Sequence, residues 1–555
     1  MKHLITSILS ILNRREKRRL CFQIVFDLLI GILDIAFLGA LLLIINLYTG
    51  NNAVNKYTFL PSWLNQNSLW LISLFFVLYV VKNLAAYAVT QSQNTFFYAV
   101  ASRLSKRNIW HYLKDDYFKF VHVDSSVYIR KISQQPIEFS NYILTNIQQI
   151  ISQGALIIFT IIGILFYHPS LFLSLFLLLL PPVVLLGYFI KRKLKDVRSN
   201  SRSTSQLTLQ YLKESLSGYV ESNVYDKHDF FTNRYYRYQK QLNDYIATQQ
   251  TLQGLPSRLI EVFAILGFLI LITINKWASN NHGIGLLDVG VFMAASYKII
   301  PGIVKILNSA GQIKTYEFTL NDLTIDEKTS ETAPSAATYI DFIKFQYVDF
   351  NYQGAPILNK FFFEVSPGDF LGISGPSGMG KTTIINLLLG FLEPDSGTIS
   401  INHTVTNSAD RKSYWKKMAY VKQQPFFVND SILKNVTLTD DVYDKDRLAK
   451  ALSFSGIDSL TDQYPEGINK IITENGKNIS GGQRQRIMLA RALYHDFDLL
   501  ILDEPFGEVD NVAERAMLAQ LELLAKKGKM IIMITHNKES LSFCNKVVLL
   551  DGAYA

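Results

Sequence analysis

The sequence predicts an all-α domain of six transmembrane helices with long cytoplasmic helical extensions, followed by an α/β P-loop ATPase domain. Hydrophobic residues make up 49% of the 555 residues, yet the long apolar runs are concentrated in roughly the first 320. A glycine-rich phosphate-binding motif and a strand that ends in two carboxylates lie in the remainder. We therefore divide the chain into a membrane domain (1–320), a polar linker (321–338) and an ATPase domain (339–555).

Six apolar segments account for the membrane domain. A helix that crosses the hydrocarbon core of a bilayer needs about 20 apolar residues. The segments that approach this length are 21–48, 69–90, 143–166, 171–190, 259–274 and 284–306. A buried soluble helix can imitate one such run but not six in series, so the pattern predicts a multi-pass membrane protein.

The distribution of basic residues predicts the orientation. Lys and Arg cluster before the first run, between the second and third, and between the fourth and fifth, in a chain whose net charge is +9. The opposite loops hold little beyond Lys56 and Lys276. Since cytoplasmic loops carry the excess of Lys and Arg, we expect the N-terminus and the ATPase domain to lie in the cytoplasm, at the inner (cytoplasmic) membrane. This distribution does not favour a nucleic-acid partner.

The two long cytoplasmic segments predict a helical stalk. Residues 65–135 contain no Gly or Pro, and residues 188–253 contain only Gly218. Since Gly and Pro are the strongest helix breakers, we expect spans two to five to continue into the cytoplasm, with short turns near 124–126 and 222–228. Two ordinary helical loops are the alternative.

Charged residues inside the predicted spans allow two interpretations. Asp34, Lys82 and Lys298 lie within the first, second and sixth spans. A charge at the bilayer centre costs about 2.5–3.5 kcal/mol or more, so these side chains should face protein or water. They are either an ion pair that holds the bundle, Asp34 with Lys82 or with Lys298, or a polar patch in the substrate path.

The decisive motif of the second domain is Gly375-Pro-Ser-Gly-Met-Gly-Lys-Thr-Thr383. It follows a short apolar strand and precedes an apolar helix, which is the setting that a phosphate-binding loop requires. We expect Lys381 to reach the β- and γ-phosphates of ATP and Thr382 to bind Mg²⁺. The residues expected at the nucleotide are Gly375, Ser377, Gly378, Gly380, Lys381, Thr382 and Thr383.

A buried strand at 499–503 ends in adjacent carboxylates, Asp503 and Glu504. Ligands of parallel sheets bind beyond the carboxyl ends of the strands. We therefore expect Asp503 to hold Mg²⁺ and Glu504 to polarise the attacking water.

A second candidate phosphate site opens another helix. Its residues are Ser480, Gly481, Gly482 and Gln483. A serine and two glycines at a helix start form a nest of backbone N–H groups that binds anions. Two phosphate sites in one domain would be redundant, so the sequence implies a head-to-tail dimer with two ATP sites at its interface.

The order of these motifs resembles the nucleotide-binding domain of ABC transporters, from about residue 339 to the end. The resemblance implies that Gln423, in Tyr420-Val-Lys-Gln-Gln-Pro, senses Mg²⁺ and couples to the membrane domain. It implies that His536 contacts the γ-phosphate and that Tyr347 stacks on adenine, with Tyr352 as a competitor for that role. It also makes 479–483 the signature motif.

Two departures from the family pattern stand out. Ile479 replaces the usual Leu of the signature, a volume-conserving change. The D-loop reads Gly507-Glu-Val-Asp510 where the family usually has Ser-Ala-Leu-Asp. Asp510 stays in the nucleotide-binding set, whereas Gly507 and Glu508 leave communication between the two ATP sites open. Every catalytic position is filled, which favours a homodimer over a heterodimer with one inactive site.

The order of domains, membrane domain first, resembles exporters. A weaker likeness to bacterial flippases for lipid-linked oligosaccharides lies in Pro256-Ser-Arg-Leu-Ile-Glu261 and Ser296-Tyr-Lys-Ile-Ile-Pro301. The resemblance implies a translocase that hydrolyses ATP and exports or flips an amphipathic substrate by alternating access. Export of a small peptide or microcin is the alternative, and an ATP-gated channel or regulator is an alternative of another class.

Overall fold

The computed structural model divides the chain into two compact units. The helical unit comprises Met1–Asp115 and Phe120–Asp326, and the α/β unit comprises Asp116–Lys119 and Glu327–Ala555. The residues that the structure describes are 2–49, 69–114, 117, 121, 123–167, 185, 188–189, 192, 200–201, 203–277, 286–324, 339–352, 354–461 and 464–550. The predicted fourth span and the side chain of Lys298 therefore lie outside the described part of the chain.

Long helices build the helical unit. Its helices are Lys2–Ile11, Arg14–Thr49, Leu69–Lys114, Ser125–Ile129, Gln135–Glu138, Thr145–Tyr167, Tyr219–Val224, His228–Trp277, Leu286–Tyr316 and Phe318–Leu323. Residues 203–217 are also helical. Two π-helical turns, Arg130–Gln134 and Phe139–Leu144, join the three segments between Ser125 and Tyr167 into one run.

Three helices in the described part of the chain are long and apolar enough to cross a membrane, within Arg14–Leu41, Trp70–Lys114 and Ser125–Gly163. They contain most of the first three predicted spans. The helix Leu69–Lys114 has 46 residues and is therefore about 69 Å long, more than twice the hydrocarbon thickness of about 30 Å. The helix His228–Trp277 has 50 residues. The prediction of long helical extensions is confirmed.

The buried core of the helical unit joins its first helix to the middle of the chain. Phe97 and Leu104, from Leu69–Lys114, pack with Phe139 and Ile143 and with Leu323 near the end of the unit. Arg103 strengthens this region, since its guanidinium contacts Glu16 at 2.6 Å and donates to the carbonyl of Ile11 at 3.1 Å.

The described part of the α/β unit contains three sheets. Its strands are β1 (Ile343–Tyr352), β2 (Ala355–Val365), β3 (Phe370–Ser374), β4 (Ser396–Ile401), β5 (Thr404–Val405), β6 (Met418–Val421), β7 (Asp430–Ser431), β8 (Ile471–Ile472), β9 (Leu499–Asp503), β10 (Met530–Ile534) and β11 (Lys546–Leu549). An antiparallel sheet has the order β2-β1-β4-β5, and β7 pairs with β8. The central sheet is parallel, with the order β11-β3-β10-β9-β6.

Helices surround these sheets. They are Lys381–Leu388, Ser408–Ser413, Ile432–Thr437, Lys445–Ser455, Asp458–Thr461, Gly481–Tyr494, Asn511–Lys526 and Lys538–Leu541, with 3₁₀ turns at Trp415–Lys417, Gly467–Asn469 and Glu474–Gly476. Every residue of β3, β9 and β10 is buried. Because these neighbouring strands are parallel, their carboxyl ends meet at one edge of the sheet, where polar residues can converge.

Candidate functional site

The loop after β3 forms a cradle that opens the helix Lys381–Leu388. Gly378 and Gly380 have φ values of 85° and 84°, which L side chains rarely adopt. A Cβ at Gly380 would also lie 2.6 Å from Cγ2 of Ile357. The Lys381 ammonium donates to the carbonyls of Gly375 and Pro376 at 2.6 and 3.1 Å. The loop therefore places the Lys381 ammonium beside a helix N-terminus, and this arrangement suits a polyphosphate ligand.

Asp503 ends β9 and is only 4% exposed. Burial is the main cause that raises the pKa of this carboxyl to about 6, and the negative charge of Glu504 adds to it. The Tyr420 hydroxyl, which donates to Asp503 at 3.4 Å, and the charge of Lys381 offset part of the shift. A buried carboxylate of this kind is stabilised when a cation binds to it.

Glu504 follows in a backbone conformation with φ of 49°, and its amide donates to the carbonyl of Ile534 at 3.0 Å. Its carboxylate accepts a hydrogen bond from Nε2 of Gln423 at 2.7 Å, and its other oxygen lies 3.5 Å from Nδ1 of His536. The three residues that we expect to be catalytic are thus brought together from β9, β6 and β10. Two partners fix the orientation of the Glu504 carboxylate, as an activating base requires.

The predicted signature motif forms a capped helix start. Ser480 accepts from the amide of Gln483 at 3.3 Å, and the Gln483 side chain accepts from the amide of Ser480 at 2.9 Å. This reciprocal capping fixes the N-terminus of the helix Gly481–Tyr494. Among the described residues, no hydrogen bond joins Ser480 or Gln483 to the loop at 375–383.

Tyr347 stands at a bend of β1 with φ of 51° and is 61% exposed. Its ring lies 6.4 Å from that of Phe362. Tyr352 is 40% exposed and packs edge-on against Phe350 at 5.8 Å. Tyr347 presents the more open ring face, so it stays the preferred candidate for stacking on adenine.

Comparison with known proteins agrees with this geometry. The sequence model of the ABC transporter family matches residues 358–507. The chain is similar to a solved structure described as a bacterial Atm1-family ABC exporter with ATP bound, with a TM-score of 0.78 and 18% identity, over 96% of this chain and 94% of that one. Residues 358–507 thus form an ABC transporter domain, and the chain has the fold of that exporter.

Two relatives of this chain carry the same name, ATP-dependent lipid A-core flippase. The one from Burkholderia orbicola (strain AU 1054) is 28% identical over 420 residues, which covers 74% of this chain and 70% of that protein. The one from Burkholderia pseudomallei (strain 1710b) is 26% identical over 453 residues, which covers 78% of this chain and 75% of that protein. The ABC transporter domain of this chain implies ATP binding, and its described part includes helices long and apolar enough to cross a membrane.

The predicted D-loop, 507–510, is tied to the helix Gly481–Tyr494. Asp510 caps the helix Asn511–Lys526 by accepting from the amide of Ala513 at 2.9 Å, and it pairs with Arg486 at 3.0 Å. The hydrogen bond from the Ala513 amide is the main cause that lowers the pKa of Asp510. Glu508 pairs with Arg484 at 3.2 Å. The contacts of Arg484, Arg486 and Tyr420 with the carboxylates of Glu508, Asp510 and Asp503 could not be predicted from the sequence, because only the fold brings these residues together.

Of the candidate substrate-path residues, the structure describes the side chains of two. Lys82 forms a salt bridge with Asp34, and both side chains are largely buried. The Lys82 ammonium also lies 4.7 Å from the centre of the Tyr79 ring. Of the two interpretations of these charges, the ion pair between Asp34 and Lys82 is the one that this arrangement favours.

Proposed function

We propose that the protein is an ABC half-transporter that flips or exports an amphipathic substrate, such as a lipid-linked oligosaccharide, by ATP-driven alternating access. The observation that carries this proposal is the convergence of Gln423, Glu504 and His536 in a chain that also contains membrane-length helices. The relatives named as lipid A-core flippases support a lipid substrate.

In this proposal the loop at 375–383 binds the ATP phosphates, with Lys381 released from its carbonyl partners to the β- and γ-phosphates. Thr382, Gln423 and Asp503 are the proposed Mg²⁺ ligands, and their oxygen atoms fit the preference of this ion. Bound Mg²⁺ neutralises charge on the phosphates. The raised pKa of Asp503 agrees with a carboxyl that a cation has to stabilise.

We assign the activation of water to Glu504. Gln423 and His536 orient its carboxylate, so that one oxygen can accept the proton of a water placed beyond the γ-phosphate. His536 is largely exposed, and its side chain is thus available to a phosphate as well. Tyr347 is the proposed partner of the adenine ring.

We further propose that the working form is a homodimer. Ser480, Gly481, Gly482 and Gln483 of each copy would then complete the ATP site of the partner, with Asp510 beside it. A heterodimer is the alternative. The basic clusters of the sequence support a topology with the N-terminus and the ATPase domains in the cytoplasm, and we propose the inner membrane as the location.

The nature of the substrate stays a proposal. Asp34, Lys82 and Lys298 are its candidate path, yet the pairing of Lys82 with Asp34 makes Lys82 a weak attractor for an anionic head group. Export of a small peptide or microcin is the second candidate, since such exporters share the fold. An ATP-gated channel or regulator would hydrolyse ATP without vectorial transport.

The test is ATPase activity of the protein in lipid nanodiscs. We expect wild type to hydrolyse ATP, and Glu504→Gln to lose at least a hundredfold in rate while it still binds ATP, because only the activating base is removed. Glu466→Gln, an exposed carboxylate outside the site, is the matched control and should stay active. Equal rates for wild type and Glu504→Gln would overturn the catalytic assignment.

A further inference from the structure

We propose that Glu508 occupies the phosphate-binding end of the signature helix and must leave it before the ATP of a partner copy can bind there. Glu508 would then set the ATP concentration at which two copies close. This inference rests on the proposed head-to-tail dimer, and it assigns a task to the residue that departs most clearly from the usual D-loop.

The Glu508 carboxylate lies directly beside the start of the signature helix. A Cβ at Gly481 would lie only 1.4 Å from Oε2 of Glu508, so this oxygen fills the space directly beside the first residue of the helix Gly481–Tyr494. A Cβ at Gly482 would lie 2.9 Å from the backbone carbonyl of Glu508. Both glycines therefore serve the close approach of the D-loop.

The D-loop is held at this helix by its backbone and by the Glu508 side chain. The Glu508 amide donates to Oε1 of Gln485 at 2.9 Å, and the Glu508 carboxylate accepts from Arg484 at 3.2 Å. Gln485 and Arg484 both belong to the helix Gly481–Tyr494. The contact is thus made by backbone and side chain together, and the charge sits at the start of the helix.

Electrostatics make the Glu508 carboxylate and a phosphate compete for this helix N-terminus. The free N–H groups of a helix N-terminus carry a partial positive charge that stabilises an anion. In the proposed dimer this same N-terminus receives the γ-phosphate of the partner's ATP. Two anions cannot share it without strong repulsion, so the phosphate has to displace the Glu508 carboxylate.

The displacement is feasible because the carboxylate is loosely held. The Glu508 side chain is 56% exposed, and among the described residues its cationic partner is the partly exposed Arg484. Ion pairs of this kind are weak and are screened by salt. Glu508 therefore acts as a positioning residue that competes with ATP, and it takes no part in the chemical step.

The test separates the Michaelis constant for ATP from the turnover number. We expect Glu508→Gln and Glu508→Ala to lower KM for ATP by about fivefold or more while kcat changes less than about twofold, because only the competing charge is removed. The difference from wild type should shrink at 0.5 M salt, since the charges are then screened. Glu474→Gln, another exposed carboxylate of the α/β unit, is the matched control and should leave KM unchanged.

A second readout does not depend on turnover. In the Glu504→Gln background, the concentration of a photoreactive ATP analogue that gives half-maximal labelling should also fall when Glu508→Gln is added. An unchanged or raised KM in active Glu508 variants, with unchanged half-maximal labelling, would overturn the inference and leave the proposed function intact. A wild-type protein that neither hydrolyses nor binds ATP would instead contradict the proposed function itself.

Discussion

Asp503 and Glu504 are adjacent in sequence but lie in opposite environments. Asp503 is buried at the end of β9, whereas Glu504 turns out of the strand with a positive φ and meets Gln423 and His536. The strand and its two carboxylates could be predicted from sequence. The contacts of Glu504 could not, because they depend on β6 and β10 lying on either side of β9.

The pKa of Asp503 predicts how Mg²⁺ binding depends on pH. With a pKa of about 6, the ionised fraction falls from roughly nine-tenths at pH 7 to roughly one-tenth at pH 5. Since Mg²⁺ needs the carboxylate, we expect its apparent affinity in the presence of ATP to fall by about tenfold over this range. Titration of Mg²⁺-dependent nucleotide binding at several pH values measures this.

The Glu504→Gln variant serves as the control that separates the titration of Asp503 from the titration of ATP. Removal of the neighbouring charge lowers the pKa of Asp503, so the loss of Mg²⁺ affinity should begin at a lower pH in this variant than in wild type. Identical pH profiles for the two proteins would show that Asp503 is not the titrating group.

At the scale of elements, the signals that came from local pattern were the reliable ones. The glycine loop between strand and helix, the helix start at 480–483 and the long helices without Gly or Pro all appear where the sequence predicted them. The capping hydrogen bond of Ser480 was not predicted. The π-helical turns Arg130–Gln134 and Phe139–Leu144 had no such signal. The burial of Arg130 and Phe139 within these turns is set by neighbouring helices, and it cannot be read from local spacing.

Arg411 shows how one side chain supports an element. It is fully buried in the helix Ser408–Ser413, and it donates to the carbonyls of Thr406 and Leu392 at 2.7 and 3.0 Å. Arg411 also forms an ion pair with Glu393 at 2.8 Å. Because buried carbonyls are costly to leave unpaired, we expect Arg411→Met to lower the free energy of unfolding of the α/β unit by about 2–4 kcal/mol.

The measurement is thermal unfolding of the full chain, followed through a probe in the α/β unit. Lys416→Met is the control, since this side chain is exposed near the same element and should leave the unfolding temperature unchanged. If the two variants melted alike, the hydrogen bonds of Arg411 would not be stabilising this element.

At the scale of the whole molecule, the chain combines membrane-length helices with an α/β unit, to which the short segment Asp116–Lys119 is assigned. Composition and charge distribution predicted the two parts, because apolar runs and phosphate loops are local signals. They did not predict that this short segment belongs to the α/β unit, since it lies in sequence between two helices of the helical unit.

Variants of the ion pair between Asp34 and Lys82 test whether these two charges stabilise the fold. Asp34→Asn alone should reduce the yield of folded protein and its unfolding temperature, because Lys82 is left buried without its counter-charge. The double variant Asp34→Asn, Lys82→Gln should recover most of the loss. If the double variant folds well but no longer transports, the pair belongs to the substrate path and our structural interpretation is wrong.

The most direct test of ATP-driven transport is lipid translocation in proteoliposomes. Fluorescent glycolipids, with and without an anionic head group, are reconstituted with wild type or Glu504→Gln, and the accessible fraction in each leaflet is followed after addition of Mg²⁺ and ATP. We predict ATP-dependent movement between leaflets for wild type and none for Glu504→Gln. Hydrolysis of ATP by wild type without movement of any tested lipid or peptide would contradict the account and favour a channel or a regulator.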